Sequence, residues 1–271
     1  MTAAATSPAP APAPAPAPVP VPVPARTVLI TGASRGIGAA TAWRCAERGW
    51  AVGVNYAHDE AAAQRVVERI RSAGGQALAL HADVSDEAQV QAMFEAADRH
   101  LPPLHALVNN AGVVDVTARV DAMRLARLQR MFAINVFGSF LCARAAVLRL
   151  STRHGGAGGA IVNVSSVAAR LGAPGQYVDY AAAKGAIDSF TVGLAKELAL
   201  EGVRVNAVRP GIIDTEIHAS GGLPNRVRDT TPMVPVQRAG SADEVAQAIV
   251  WLLSDASSYS TGAFIDVSGG R

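Results

Sequence analysis

Two cysteines, six histidines and a charge balance close to zero exclude several classes of protein for this 271-residue chain. Cys45 and Cys142 fall in segments patterned as helices and show neither metal-binding nor redox spacing. That usage fits a reduced interior, with both thiols as packing groups and a cytoplasmic location. The histidines show no ligand spacing, so no metal is expected. With 24 basic and 22 acidic residues, a formal charge of +2, composition argues for no nucleic-acid partner. No uninterrupted apolar run reaches the roughly 18 residues of a membrane span, so no membrane association is expected. The N-terminus lacks a basic segment followed by a continuous apolar one, which argues against a secretory signal.

What is present is a chain half apolar by count, enough for a sizeable core. Residues 1–25 stand apart: "APAPAPAPAPVPVPVPA" places a proline at every second position and cannot donate a hydrogen bond there. An extended, disordered, polyproline-like tail is expected. From Arg26 onward, apolar runs alternate with helical patterns, which sets a single domain at 26–271. TVLIT (27–31), AVGVNY (51–56), QALALHADV (76–84), LHALVNN (104–110), GGAIVNVSS (158–166), VRVNAVRP (203–210) and GAFIDVS (262–268) read as strands. Helices are expected between them, the longest over roughly 121–150 and 177–200. Strands alternating with helices of this length give βαβ units. The expected fold is therefore α/β, a doubly wound Rossmann-like domain with a seven-stranded parallel sheet covered on both faces.

"TGASRGIG" (31–38) follows the first strand and opens the first helix. Gly32, Gly36 and Gly38 permit a positive φ or a close approach, and a helix N-terminus offers free N–H groups to a phosphate. The second focus is "YVDYAAAK" (177–184). Residues four apart share a helix face, so Tyr180 and Lys184 are neighbours, whereas Tyr177 is about two turns from the lysine. Tyr177 is left as a pocket wall.

These motifs, with ADV at 82–84, NNAG at 109–112, Asn135, Ser166 and RPG at 209–211, resemble the short-chain dehydrogenase/reductase family over essentially all of 26–271. "YVDYAAAKGA" and "EIHASGG" look closest to a bacterial subgroup described as glucose dehydrogenase-like or oxoacyl-reductase-like. The resemblance implies hydride transfer between a nicotinamide cofactor and a small-molecule carbonyl or secondary alcohol, and a homotetramer with the two long helices as interface candidates. It implies Tyr180 as acid/base, Lys184 as its tuning cation and ribose anchor, Ser166 as hydrogen-bond donor to the substrate oxygen, and Asn135 as holder of a relay water. A nearby ammonium would stabilise the phenolate and lower the tyrosine pKa from about 10. Ser165 stays open as the alternative donor, because the loop before Tyr180 carries one residue more than the usual family spacing.

Cofactor contacts are expected at Gly32, Ser34, Arg35, Gly36, Ile37 and Gly38. They are expected also at Asn55, Asp83, Val84, Asn109, Ala111 and Gly112, at Pro210, Gly211, Ile213 and Thr215, and at Tyr180 and Lys184. Asp83 reads equally as a helix cap, and Asn109 as a brace of the sheet. The second strand ends in Asn55-Tyr56 without an acid at its tip, and Arg35 sits in the glycine loop within reach of a 2′-phosphate. NADP(H) is therefore preferred over NAD(H). Asp59 and Glu60 read as the opening of the next helix. Residues 216–240 read as a lid over the substrate, with His218 open between a substrate contact and a solvated side chain. A non-catalytic NADP-binding regulator, an NAD-dependent sugar or alcohol dehydrogenase, and a related dehydratase or epimerase stay as alternatives.

Overall fold

A computed structural model describes residues 26–216, 221–223 and 225–271. The proline-rich tail and His218 lie outside the described residues. Seven parallel strands form one sheet: β1 (Thr27–Ile30), β2 (Ala51–Tyr56), β3 (Ala77–His81), β4 (Leu104–Asn109), β5 (Gly159–Val164), β6 (Val203–Pro210) and β9 (Phe264–Val267). Their spatial order is β3-β2-β1-β4-β5-β6-β9. All seven expected strands are present, most of them trimmed by one to three residues at their ends. A further pair, β7 (Ile213–Asp214) and β8 (Gly240–Ser241), forms a small second ladder that the sequence patterns did not show.

The sheet is buried on both faces, and alternate residues of each strand serve opposite layers. Val28 and Ile30 of β1 join one apolar cluster with Cys45 of α1 (Gly36–Ala46), Ile70 of α2 (Glu60–Ser72) and Ile249 of a helix at Ala242–Leu253. Leu29, between them, joins the other cluster. There it meets Phe94 of α3 (Glu87–His100), Ala146 of α5 (Gly138–Leu150) and Leu198 of α7 (Val178–Leu198). The chain leaves β1 toward β2 on one side and returns to β4 on the other. This opens a crevice at the C-terminal strand ends, where ligands of such sheets bind.

The long helix expected over 121–150 is broken. After a 3-10 turn at Val120–Ala122 come α4 (Leu125–Phe132), a π-helical turn at Ala133–Phe137, and α5. Taken together, Leu125–Leu150 is long and apolar enough to cross a membrane, with 44% of its most apolar window buried. No apolar run of that length is expected from the sequence; this helix passes on length and mean hydropathy although polar and charged residues such as Arg127, Asn135 and Arg144 fall within it. Cys142, Ala143, Ala146 and Leu150 pack into the cluster beneath β4, as a core helix does.

The loop between Ser166 and Tyr180 holds one helical turn, α6 (Ala168–Leu171), closed by Gly172 in the left-handed region. Within the expected lid, the described part contains α8 (Arg226–Thr230) and a 3-10 turn at Thr231–Met233. The helix at Ala242–Leu253, α9 here, opens on a capping box between Ser241 and Glu244.

Candidate active site

The glycine loop is shaped from below by amides. Gly32 (φ +60°) would carry a Cβ only 2.9 Å from the Ala111 Cα, and a Cβ at Gly38 would lie 2.6 Å from Asn110 Nδ2. Both positions therefore exclude side chains, and the loop closes directly on the end of β4. Asn110 Nδ2 donates to the carbonyls of Thr31 (2.9 Å) and Gly32 (3.0 Å), while Thr31 Oγ1 accepts from the backbone of Asn110 and Ala111. Helix α1 begins at Gly36 with no side-chain cap from Arg35, and a helix N-terminus is where N–H groups meet an anion. Thr215 faces that terminus: its Cγ2 lies 3.4 Å from where a Gly36 Cβ would be.

Several expected cofactor residues have inward-facing duties instead. Asn55 is buried; its Oδ1 accepts from Gly32 N (3.0 Å), and its Nδ2 donates to Leu80 O (3.1 Å) and Ala82 O (3.0 Å). Its side chain braces the loop and has no donor left for a ligand. Val84 is buried against Gly138. Asp83 Oδ1 accepts from Ser85 N (2.9 Å) and Ser85 Oγ (2.7 Å), whereas the cap of α3 is Asp86. The cap reading of Asp83 thus becomes a turn before the helix, and its Oδ2 accepts no hydrogen bond among the described residues. Asn109 Nδ2 donates to Asn163 Oδ1 (3.0 Å) and Ser139 O (3.2 Å), tying β4 to β5 and α5. Arg35 is exposed and makes no ion pair among the described residues.

The crevice is a cavity of about 550 Å³. Ser166, Tyr180 and Lys184 line one part of it; Ile37, Gly112, Pro210, Gly211, Ile213 and Thr215 line another. Tyr180 and Lys184 share a face of α7, as their spacing requires. Burial pushes the Tyr180 phenol up to about 12, while its hydrogen bond with Ser166 and the charge of Arg226 pull it down. Burial brings the Lys184 ammonium down to about 8 against the opposing charge of Asp188. Lys184 Nζ donates to Val164 O (2.7 Å) and stands 5.5 Å from the Tyr180 ring centroid. Burial therefore outweighs the nearby charges at the Tyr180 phenol.

Ser165 and Ser166 separate cleanly. Ser165 is buried, and its Oγ donates to Asp188 Oδ1 (2.6 Å) and contacts Lys184 O (3.2 Å). Ser166 Oγ accepts from Ala168 N (3.1 Å) and meets the Tyr180 hydroxyl. Asn135 sits on the π turn with its amide on backbone: Oδ1 accepts from Val113 N (3.2 Å), and Nδ2 donates to Val113 O (3.0 Å) and Met131 O (3.0 Å). A Cβ on Gly112 would lie 2.8 Å from Asn135 Oδ1 and 3.6 Å from Lys184 Nζ, so the three meet at one point. The Asn135 side chain is a clamp on the 112–114 loop.

Sequence reasoning missed three contributors. Asn110, the second amide of NNAG, is the loop's main clasp, and the doublet was its signal. Asp179, fully buried beside Tyr180, accepts from Arg127 Nε (2.7 Å) and Nη2 (3.2 Å). Arg226 lines the cavity from α8 and lies over the Tyr177 ring, 5.0 Å from its centroid. Neither arginine has a local signal, because each partner is some fifty residues away in sequence. Tyr177 lines the cavity as expected.

A cradle for phosphates facing a phenol and an ammonium across one crevice defines a dinucleotide-dependent oxidoreductase, and known proteins place the chain more narrowly. The family model described as enoyl-(acyl carrier protein) reductase matches residues 32–271. The uncharacterized oxidoreductase YgfF of Escherichia coli K12 is 58% identical over 243 residues, 90% of this chain and 98% of that protein. Glucose 1-dehydrogenase 2 of Bacillus subtilis is 37% identical over 245 residues, covering 90% of this chain and 94% of the relative. The crystal structure of 3-oxoacyl-[acyl-carrier protein] reductase from Brucella melitensis superposes with a TM-score of 0.81 at 36% identity, covering 90% of each chain. The chain belongs to the short-chain dehydrogenase/reductase family and is an NAD(P)-dependent oxidoreductase.

Proposed function

We propose that this enzyme reduces a carbonyl group, or oxidises the corresponding secondary alcohol, with NADP(H) as its preferred cofactor. The observation that carries this reading is that Ser166, Tyr180 and Lys184 line one cavity together with Ile37 of the glycine loop and Pro210-Gly211. The residues fit a dinucleotide: Gly32 and Gly38 leave the room, and the uncapped start of α1 supplies donors. Thr215, Ile213 and Gly211 line the opposite side. When bound, the nicotinamide supplies or accepts a hydride. Ser166 then donates a hydrogen bond to the substrate oxygen, and Tyr180 Oη gives that oxygen its proton in reduction or takes it in oxidation. Lys184, in the cavity wall, supplies positive charge beside the phenol and a donor for a ribose hydroxyl.

NADP(H) is favoured by what surrounds the end of β2. Asp59 is spent on capping α2 through Ala62 N (2.9 Å), and Glu60 lies in the first turn of that helix, its charge acting on Tyr56. Asp59 is thus not free for a ribose 2′-hydroxyl, and Arg35 is free for a 2′-phosphate, whose geometry its planar fork suits. Steady-state rates with NADPH and NADH across ketones, aldehydes, sugars and acyl thioesters test the reading. Tyr180→Phe is expected to lose about 10²–10⁴-fold in kcat. Arg35→Ala is expected to raise KM for NADPH by about tenfold or more while sparing NADH. Activity retained by the first variant, or an unchanged cofactor ratio in the second, overturns the respective assignment.

The reading extends to a cytoplasmic homotetramer. Both cysteines are free and buried. Phe137, Phe140 and Leu148 leave an apolar strip exposed along the π turn and α5, and a second copy of the chain would cover it.

A further inference from the structure

Arg226 is an unusual cation for where it sits. Arg226 is the one arginine besides Arg271 that lines this cavity, and it makes no ion pair with a carboxylate among the described residues. Its partners are neutral: Nη1 donates to Gln176 Oε1 (2.8 Å), and the guanidinium lies over the Tyr177 ring. It is half-buried on the wall of the cavity that holds Ser166 and Tyr180. Among the described residues that wall contains no aspartate or glutamate, and most of it is apolar, including Val114, Leu171 and Met233. An ionic group facing such a wall without a counter-ion carries a desolvation cost that an anionic ligand would offset.

The position of Arg226 matches a substrate contact better than a cofactor one. It is anchored to Gln176 and Tyr177, at the α7 end of the cavity, while the phosphate cradle lies beside Thr215 and Gly36. Arg226 and Tyr180 line the same cavity, and the charge of Arg226 acts on the Tyr180 phenol. With Nη1 on Gln176, the remaining N–H groups of the fork suit one planar anion, and a single guanidinium binding two oxygens is the usual geometry for a carboxylate.

We propose that Arg226, held by Gln176 and Tyr177, binds the carboxylate of the substrate, so that the enzyme acts on oxo acids and their hydroxy-acid counterparts. This rests on the carbonyl-reductase reading above and names the class of substrate for that site. Its test uses NADPH-loaded enzyme and a series of aliphatic oxo acids of four to eight carbons, each paired with its methyl ester. Wild type is expected to favour the acid in kcat/KM, and Arg226→Met is expected to lower the acid-to-ester ratio by about 10–100-fold, with Arg226→Lys between them. A ratio unchanged in Arg226→Met overturns the proposal, since a merely structural arginine would lower both substrates alike. A second arm needs no turnover: hexanoate, set against hexanamide, is expected to raise the Tm of wild type and not of Arg226→Met. Stabilisation by hexanoate without reduction of any carbonyl would overturn the reaction class and leave the carboxylate site standing. Equal response to acid and amide would overturn the site.

Discussion

Lys184 shows how one residue serves chemistry at a cost to the fold. Burial lowers its pKa to about 8 from an ordinary 10.5, so across that window the unfolded chain binds the extra proton and the folded one does not. Stability contributed at this site therefore rises with pH from about 8 toward 10.5. Below pH 8 both states are protonated and the buried ammonium costs about 3 kcal/mol by the size of the shift. Tyr180 works in the opposite sense: held up to about 12, it lets the unfolded tyrosine ionise first, and stability falls as pH rises above 10. Lys184→Met is expected to gain about 1–2 kcal/mol at pH 7, after losing the bond to Val164 O, and to abolish turnover. Urea midpoints at pH 7 and 9.5 check this: wild type should climb between them and the variant should stay level. A wild type that is flat over that interval would show that the lysine is not held down.

At the scale of elements, the start of α7 depends on α4. Arg127 and Asp179 form a two-pronged buried pair, and Arg127 Nη1 also reaches Val116 O, so α4, the 113–117 loop and the turn carrying Tyr180 are fastened together. Arg127→Met would leave the fully buried Asp179 carboxylate alone, at a cost of about 3–5 kcal/mol, whereas Arg127→Met with Asp179→Leu should recover much of it. Chemical unfolding of the single and double variants tests the order; a single variant as stable as wild type would remove the clamp from the account. The same pair shows where sequence reading stops. Strands of a doubly covered parallel sheet are continuous apolar runs, so β1 to β6 and β9 were legible to within a few residues at their ends. Gly32, Gly36 and Gly38, and Tyr180 with Lys184, were legible because their geometry is local. The β7–β8 pair is too short to have a pattern, and α6 is a single turn inside a glycine-rich loop. Arg127, Arg226 and the inward amide of Asn55 depend on partners that only the fold brings near. The end of β2 marks a ligand edge in the sequence, but nothing local shows that the Asn55 side chain turns back under the glycine loop.

For the whole molecule, the exposed strip on α5 bears on assembly. Phe137 is 58% exposed, Phe140 47% and Leu148 54%, and Phe140 stacks on Phe190 of α7 at 3.8 Å, which joins the two helices into one face. Phe140→Glu is expected to break the proposed tetramer into smaller species in light scattering coupled to size exclusion. A tetramer that persists, or a wild type that elutes as a monomer, would place the interface elsewhere or remove it. The π turn at Ala133–Phe137 decides which residues are available for this. Met131, Asn135, Ser139 and Ala143 are all buried at successive spacings of four, a walk of about 120° around an unbroken α-helix. The wide turn absorbs that drift and keeps them on the inner side. In effect the backbone contains a phase shift: excising one residue from 133–137 would act like a frameshift in space, rotating the catalytic clamp, the core stripe and the outer phenylalanines out of step together.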